Sequence, residues 1–194
     1  AARPAGARCH PGWGEITARH CAIAALRSRG APLTAPVYIS VIGASRASAE
    51  LSAKAEELGE LLAQRGVVVV CGGREGVMEA VARGVRRAGG VSIGILPEDH
   101  RGRAAADLTY TVCSAIGHAR NLSVVASGDA VIALGGAWGT LSEIGLARSL
   151  GRPLVMLDTW RVEPPDATLD DLSSGVGVAS TPAEAVALAL ALLD

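Results

Sequence analysis

The residues best suited to chemistry sit in two glycine-rich turns, Gly72-Gly73-Arg74-Glu75-Gly76 and Gly135-Gly136-Ala137-Trp138-Gly139-Thr140, and in the positions around them. A turn without Cβ atoms lets backbone N–H groups approach an anion, and a following helix adds the positive end of its dipole. The chemistry expected is the binding of a phosphate-bearing small molecule. A third turn, Gly43-Ala44-Ser45-Arg46, offers Gly43 and Ser45 to the same ligand. None of the turns has the G-x-G-x-x-G or G-x-x-x-x-G-K-[ST] pattern, which argues against NAD and ATP. Arg74 is a candidate phosphate contact, and Arg120 presents a guanidinium fork to an anionic or planar group. Glu143 has two readings, a site residue beside Arg120 or the capping-box partner of Thr140 at a helix start. Trp138 could stack on a flat ring or pack between helices or subunits. His118 reads as a surface or helix-terminus residue, and Glu75 and Glu79, one helical turn apart, as an exposed acidic face. Arg83, Arg86 and Arg87 read as a solvated helix C-terminus favoured by the macrodipole.

The elements that must position these residues follow from hydrophobic patterning. Apolar, β-branched runs occur at 37–42, 67–70, 91–96, 108–112, 129–134 and 153–157. Helix-like stretches lie at 48–65, 76–88, 117–127, 140–150 and 181–193, the last with Thr181 as N-cap and Pro182 at the first helical position. Alternating strands and helices, with continuous apolar strands, predict an α/β fold: a doubly wound, mostly parallel, Rossmann-like sheet with helices on both faces. Ligands in such sheets collect beyond the carboxyl ends of the strands, where strand order reverses, and the three turns are expected there. Residues 37–194 form the expected nucleotide-binding domain. Residues 1–36, rich in Pro, Gly and Arg with one short helix over 15–29, read as an N-terminal extension.

Composition bounds the function. A chain of 194 residues with 49% apolar content can bury one sizeable core. Its net charge of −1 supplies no positive field for nucleic acid. No apolar run reaches the length of a membrane span, and no segment resembles a signal peptide. Cys9, Cys21, Cys71 and Cys113 show no disulfide framework, which fits a reduced cytoplasmic setting. Cys9-His10 and His20-Cys21 lack zinc-ligand spacing, so no metal is expected.

Four segments together resemble the LONELY GUY family, once mislabelled lysine decarboxylases: 72–82, Gly94-Ile95-Leu96-Pro97, Ala119-Arg120-Asn121 and 135–143. The resemblance covers 37 to about 158, and in its finer features the chain is similar to a bacterial branch that also resembles the molybdenum cofactor carrier protein. It implies a Rossmann-like fold, a homodimer or higher homo-oligomer, and hydrolysis of the N-glycosidic bond of nucleoside 5′-monophosphates to free base and ribose 5-phosphate, with no cofactor required. It further implies that Gly136, Gly139 and Thr140 hold the phosphate, and that Glu143 and Arg120 are catalytic, Glu143 binding ribose hydroxyls and stabilising an oxocarbenium-like state. Gly135 stands where the family motif has proline, Ala137 where it has glycine, and Asn121 where active members carry a second basic residue. Ala119-Arg120-Asn121 and the closing segment 175–186 look more like the carrier branch, whose members bind a pterin phosphate without turnover. The ligands implied are therefore an AMP-like nucleotide or molybdenum cofactor.

Overall fold

In the computed structural model, which describes residues 35–162 and 175–193, the six apolar runs become strands and a seventh joins them: β1 Tyr38–Gly43, β2 Val68–Cys71, β3 Val91–Leu96, β4 Tyr110–Cys113, β5 Ala130–Leu134, β6 Leu154–Leu157 and β7 Val176–Ala179. Five helices accompany them among the described residues: α1 Ala49–Gln64, α2 Val77–Arg87, α3 Arg120–Ser127, α4 Trp138–Ser149 and α5 Pro182–Ala191. A 3-10 turn, Gly117–Ala119, leads into α3. Every strand pairing is parallel, and the order across the sheet is β4-β3-β2-β1-β5-β6-β7. The chain begins in the middle, winds outward to β4, then returns to lay β5 against the other side of β1. This is the expected doubly wound, Rossmann-like α/β sheet. The expected extension over 1–36 lies almost wholly outside the described residues.

Both faces of the sheet are buried, which is why the strands are continuously apolar. On one face Ile39, Val41, Val69, Ile132 and Leu134 pack against Leu58 and Leu62 of α1, Val77 and Val81 of α2, and Val186 of α5. On the other, Ile42, Val70, Val131 and Ala133 meet Val124 and Val125 of α3 and Ile144 and Ala147 of α4. Strand β5, at the centre, is buried at all five positions. No helix among the described residues is long and apolar enough to cross a membrane.

The structure differs from the sequence reading at β4, β7 and α4. Strand β4 starts two residues late, because Ser92 and Thr109 exchange side-chain-to-backbone hydrogen bonds at 3.1 Å each in place of ladder pairing. Strand β7 was not anticipated: its run is short and interrupted by Gly177, and it forms by pairing with β6. Helix α4 begins at Trp138 rather than Thr140, with Ala137 as an N-cap that has no side-chain acceptor. Glu143 therefore sits in the second turn and does not cap the helix.

Helices α1 and α2 cross at unusually close range. A Cβ on Gly84 would fall inside contact distance of the Glu56 carbonyl oxygen, and one on Gly59 would strike the Val81 carbonyl. At the same crossing Arg83 and Arg87 grip Glu56 at 2.8 and 2.5 Å, and hydrogen bonds from Arg83 and then Arg87 hold its carboxyl below the ordinary carboxylate range. Of the arginines expected to be merely solvated, Arg83 and Arg87 are thus tied to α1, while Arg86 reaches Asp107 in the β3–β4 loop. The obstacle at Gly84 is helix backbone, which cannot rotate away. Gly84→Ala is expected to destabilise the fold by about 3 kcal/mol, read as a lower urea midpoint with an unchanged slope.

Candidate functional site

Strand order reverses between β1 and β5, whose last residues, Gly43 and Leu134, are register partners. Beyond their carboxyl ends opens a crevice of about 580 Å³. The β1–α1 turn contributes Gly43, Ala44, Ser45 and Arg46, and the β2–α2 turn with the first residues of α2 contributes Arg74, Glu75 and Met78. Arg103 reaches in from the β3–β4 loop, His118, Arg120 and Asn121 from the start of α3, and Ala137, Gly139, Thr140 and Glu143 from the start of α4.

Its floor holds two charged side chains that are almost fully buried, Arg120 at 9% and Glu143 at 7% exposure, with Thr140 beside them at 3%. Arg120 Nη1 lies 3.9 Å from Glu143 Oε1, an ion pair too long to be a hydrogen bond. Burial pushes the Glu143 carboxyl up to about 7, and the Arg120 charge offsets only part of that rise. Burial likewise holds the Arg120 guanidinium below its ordinary value, against the opposing pull of Glu143. A carboxyl in this range exchanges a proton near neutrality, as a general base or acid requires. The Arg120 guanidinium packs directly over Gly72, where a Cβ would lie 2.7 and 2.8 Å from its two terminal nitrogens. Only glycine leaves room for Arg120 in that position.

The second requirement of the site is a place for an anion. Helix α4 offers one: Ala137 has no side-chain acceptor to cap its first amides, which stand at the positive end of the dipole. The approach is shaped by Gly136, at φ 121°, where a Cβ would run into the Thr140 side chain. The Thr159 hydroxyl donates to the Gly135 carbonyl and fixes the same turn to the end of β6.

The turns are tied to one another as well as to the sheet. Val77 N–H donates to the Ala44 carbonyl at 2.9 Å, made possible by Gly76, which passes close over Ala44 and Ser45. Ala105 N–H donates to the Gly73 carbonyl at 2.9 Å and holds the β3–β4 loop over the β2 turn. Gly72, Gly73, Gly76 and Gly136 therefore stand behind the crevice wall, whereas Gly43, Ser45, Arg74, Arg120, Ala137, Gly139, Thr140 and Glu143 line it. Arg74 approaches Glu75 and Glu98 at 3.4 Å each. Glu75 also receives Arg103 at 3.2 Å, and like Glu79 it is exposed. Trp138 points away: it is 75% exposed, with its ring 5.2 Å from that of Trp160.

Sequence reasoning passed over Met78 and Arg103, weighed Asn121 only as a departure from the family motif, and left His118 as a surface residue. Met78 and Asn121 adjoin motif residues, but Arg103 gave no signal, since only the loop's docking on Gly73 carries it to the crevice. Cys71, buried at the end of β2, has its thiol pushed up to about 11 by burial and is not a nucleophile at neutral pH. Among the described residues no His, Cys, Asp and Glu cluster could hold a metal.

A parallel sheet with a crevice at its topological switch point, floored by a buried Arg–Glu pair and bordered by an uncapped helix start, defines a Rossmann-like α/β protein with a candidate site at that switch point. The chain belongs to the SLOG cluster4 family, whose model matches residues 36–186. The molybdenum cofactor binding protein of Rippkaea orientalis superposes with a TM-score of 0.75 at 31% identity, over 83% of this chain and 99% of its own. The molybdenum cofactor carrier protein of Chlamydomonas reinhardtii gives a TM-score of 0.70 at 29% identity, over 81% of this chain and 98% of its own. The cytokinin riboside 5′-monophosphate phosphoribohydrolase of Mycobacterium tuberculosis is 33% identical over 136 residues, 66% of this chain and 71% of its own. The LONELY GUY resemblance and its carrier-like features thus both have counterparts among the relatives.

Burial of Glu143 has a consequence for stability. Its carboxyl rises from 4.5 to about 7, so between those values the native state holds a proton that the unfolded chain has released. Stability then falls as pH rises through that window, by about 3 kcal/mol in all. Urea denaturation between pH 4.5 and 8 is expected to show this decline in the wild type and a markedly flatter curve in Glu143→Gln. Equal slopes would mean that Glu143 is not buried as a charge.

Proposed function

We propose that this chain binds a nucleoside 5′-monophosphate in the crevice and hydrolyses its N-glycosidic bond, releasing the free base and ribose 5-phosphate. The observation that carries this reading is the buried Arg120–Glu143 pair lying directly behind the uncapped start of α4. An anion held by the α4 amides, Gly139 and the Thr140 hydroxyl sets the phosphate next to Glu143. A water attacking the anomeric carbon gives its proton to the Glu143 carboxylate, while the same carboxylate's charge favours the oxocarbenium-like ribose. Arg120, fixed over Gly72, stabilises negative charge on the departing base. Relatives that carry the phosphoribohydrolase name support this chemistry.

A second reading uses the same crevice without turnover. The solved molybdenum cofactor proteins align over nearly their whole length, and a pterin phosphate has an anion for α4 and a flat ring for the space beyond. In this reading the chain is a carrier, and Glu143 is a hydrogen-bonding group for the ligand rather than a base.

Turnover separates the two. The chain is incubated with AMP and with isopentenyladenosine monophosphate, and free base is measured by chromatography. Release is expected, with Glu143→Gln and Arg120→Ala each lowering it by about 100-fold or more. Binding of the nucleotides without release would sink hydrolysis, and unchanged release by Glu143→Gln would remove Glu143 from the mechanism. Saturable retention of the pterin cofactor, lost when the 136–140 loop is altered, is the result the carrier reading requires.

A further inference from the structure

A hydrolysis of this kind has two proton demands, and Glu143 meets only one of them. Water must lose a proton as it attacks, and the departing base must gain one, because a purine leaves poorly as an anion. Arg120 can stabilise that anion but is a poor proton donor at neutral pH, its charge being permanent under ordinary conditions.

His118 lines the crevice two residues before Arg120. It is exposed, unlike Arg120 and Glu143, and its ring makes no hydrogen bond or ion pair within the described residues, so both ring nitrogens are available to ligand and solvent. The backbone that presents it is held firmly. Ser114 N–H, Ala115 N–H and Gly117 N–H donate in succession to the carbonyls of Leu96, Glu98 and Pro97, each at 3.1 Å, and the Ser114 hydroxyl adds a bond to Leu96 O at 2.6 Å. These bonds keep Ala115 at φ 57°, a left-handed conformation that costs a non-glycine residue about 1 kcal/mol. The following Gly117 is also left-handed, at φ 59°. A turn over-determined in this way fixes the backbone that carries the side chain following it.

We infer that His118 is the general acid of the reaction, donating a proton to a ring nitrogen of the leaving purine from the rim of the crevice while Glu143 accepts one from water at its floor. The inference rests on the hydrolytic reading above. The bond between the anomeric carbon and the base breaks and its electron pair goes to the base. The His118 N–H proton passes to the purine ring, which departs neutral. Water oxygen bonds to the anomeric carbon and its proton goes to Glu143. Solvent then reprotonates His118, which its exposure permits, and removes the proton from Glu143, so that one water is consumed overall.

The test uses a base that needs no acid. In 7-methylguanosine 5′-monophosphate the purine already carries a positive charge, so it departs without protonation. The full chain and His118→Asn are compared on AMP and on this nucleotide, with AMP affinity measured separately. His118→Asn is expected to lower kcat on AMP by about 100-fold, leave AMP affinity within about 3-fold, and cleave the methylated nucleotide at close to the wild-type rate. Equal losses on both substrates, or no loss on AMP, overturn the assignment and leave the hydrolytic reading standing. Failure of the wild type to release base from either substrate removes both. If the wild type cleaves AMP alone, His118→Ala with added imidazole decides: recovery of rate supports the assignment, and its absence overturns it.

Discussion

The constraint on which the site depends is the burial of two opposite charges that do not fully satisfy one another. Arg120 and Glu143 are both removed from solvent, yet their nearest polar atoms stand 3.9 Å apart. Taking an ion out of water costs several kcal/mol, and an ion pair at this distance returns only part of it. The result is a carboxyl whose proton is loosely held near neutrality and a guanidinium whose Nε is buried without a hydrogen-bond partner. Such an arrangement stabilises the fold poorly. A pair of this kind is suited to a ligand that completes its hydrogen bonding.

Much of the surrounding geometry follows from keeping that pair in place. Arg120 needs a surface without a Cβ beneath it, which Gly72 provides, and Thr140 needs Gly136 to stay bare above it. The two glycine turns therefore differ in their work. The β2 turn is a platform for an arginine that arrives from α3, while the β5 turn leaves a helix start open to an anion. The parallel sheet brings them together because winding outward from β1 and returning to its other side places the ends of β1, β2 and β5 side by side. Hydrogen bonds from Val77 to Ala44 and from Ala105 to Gly73 then lock neighbouring turns into one rim.

The relatives fall on both sides of the question of turnover. Proteins named for carrying molybdenum cofactor and a protein named for cleaving cytokinin nucleotides share family features with this chain. Under either proposed reading the phosphate would sit at the open helix start beside Thr140, which is indifferent to what the rest of the ligand undergoes. What would distinguish the tasks is proton transfer, for which the hydrolytic reading calls on Glu143 and on the proposed donor His118, both lining the crevice.

By itself the sequence determined the architecture, because a sheet buried on both faces requires continuous apolar strands and each helix requires its own amphipathic stretch. Six of the seven strands were legible, and the seventh was not, because a glycine-interrupted run becomes a strand only when β6 offers it an edge. The glycine turns and the approach of Arg120 to Glu143 were legible too, being matters of residue type and order. Only the tertiary structure decided that Glu143 is not a helix cap, since α4 starts two residues earlier than its pattern suggests. It also separated glycines that line the crevice from those that support it, turned Trp138 outward, and brought Arg103 in from a loop without a motif. These outcomes depend on which surfaces the sheet presses together, and burial, close approach and the resulting loss of solvation are properties of that contact rather than of any local run of residues.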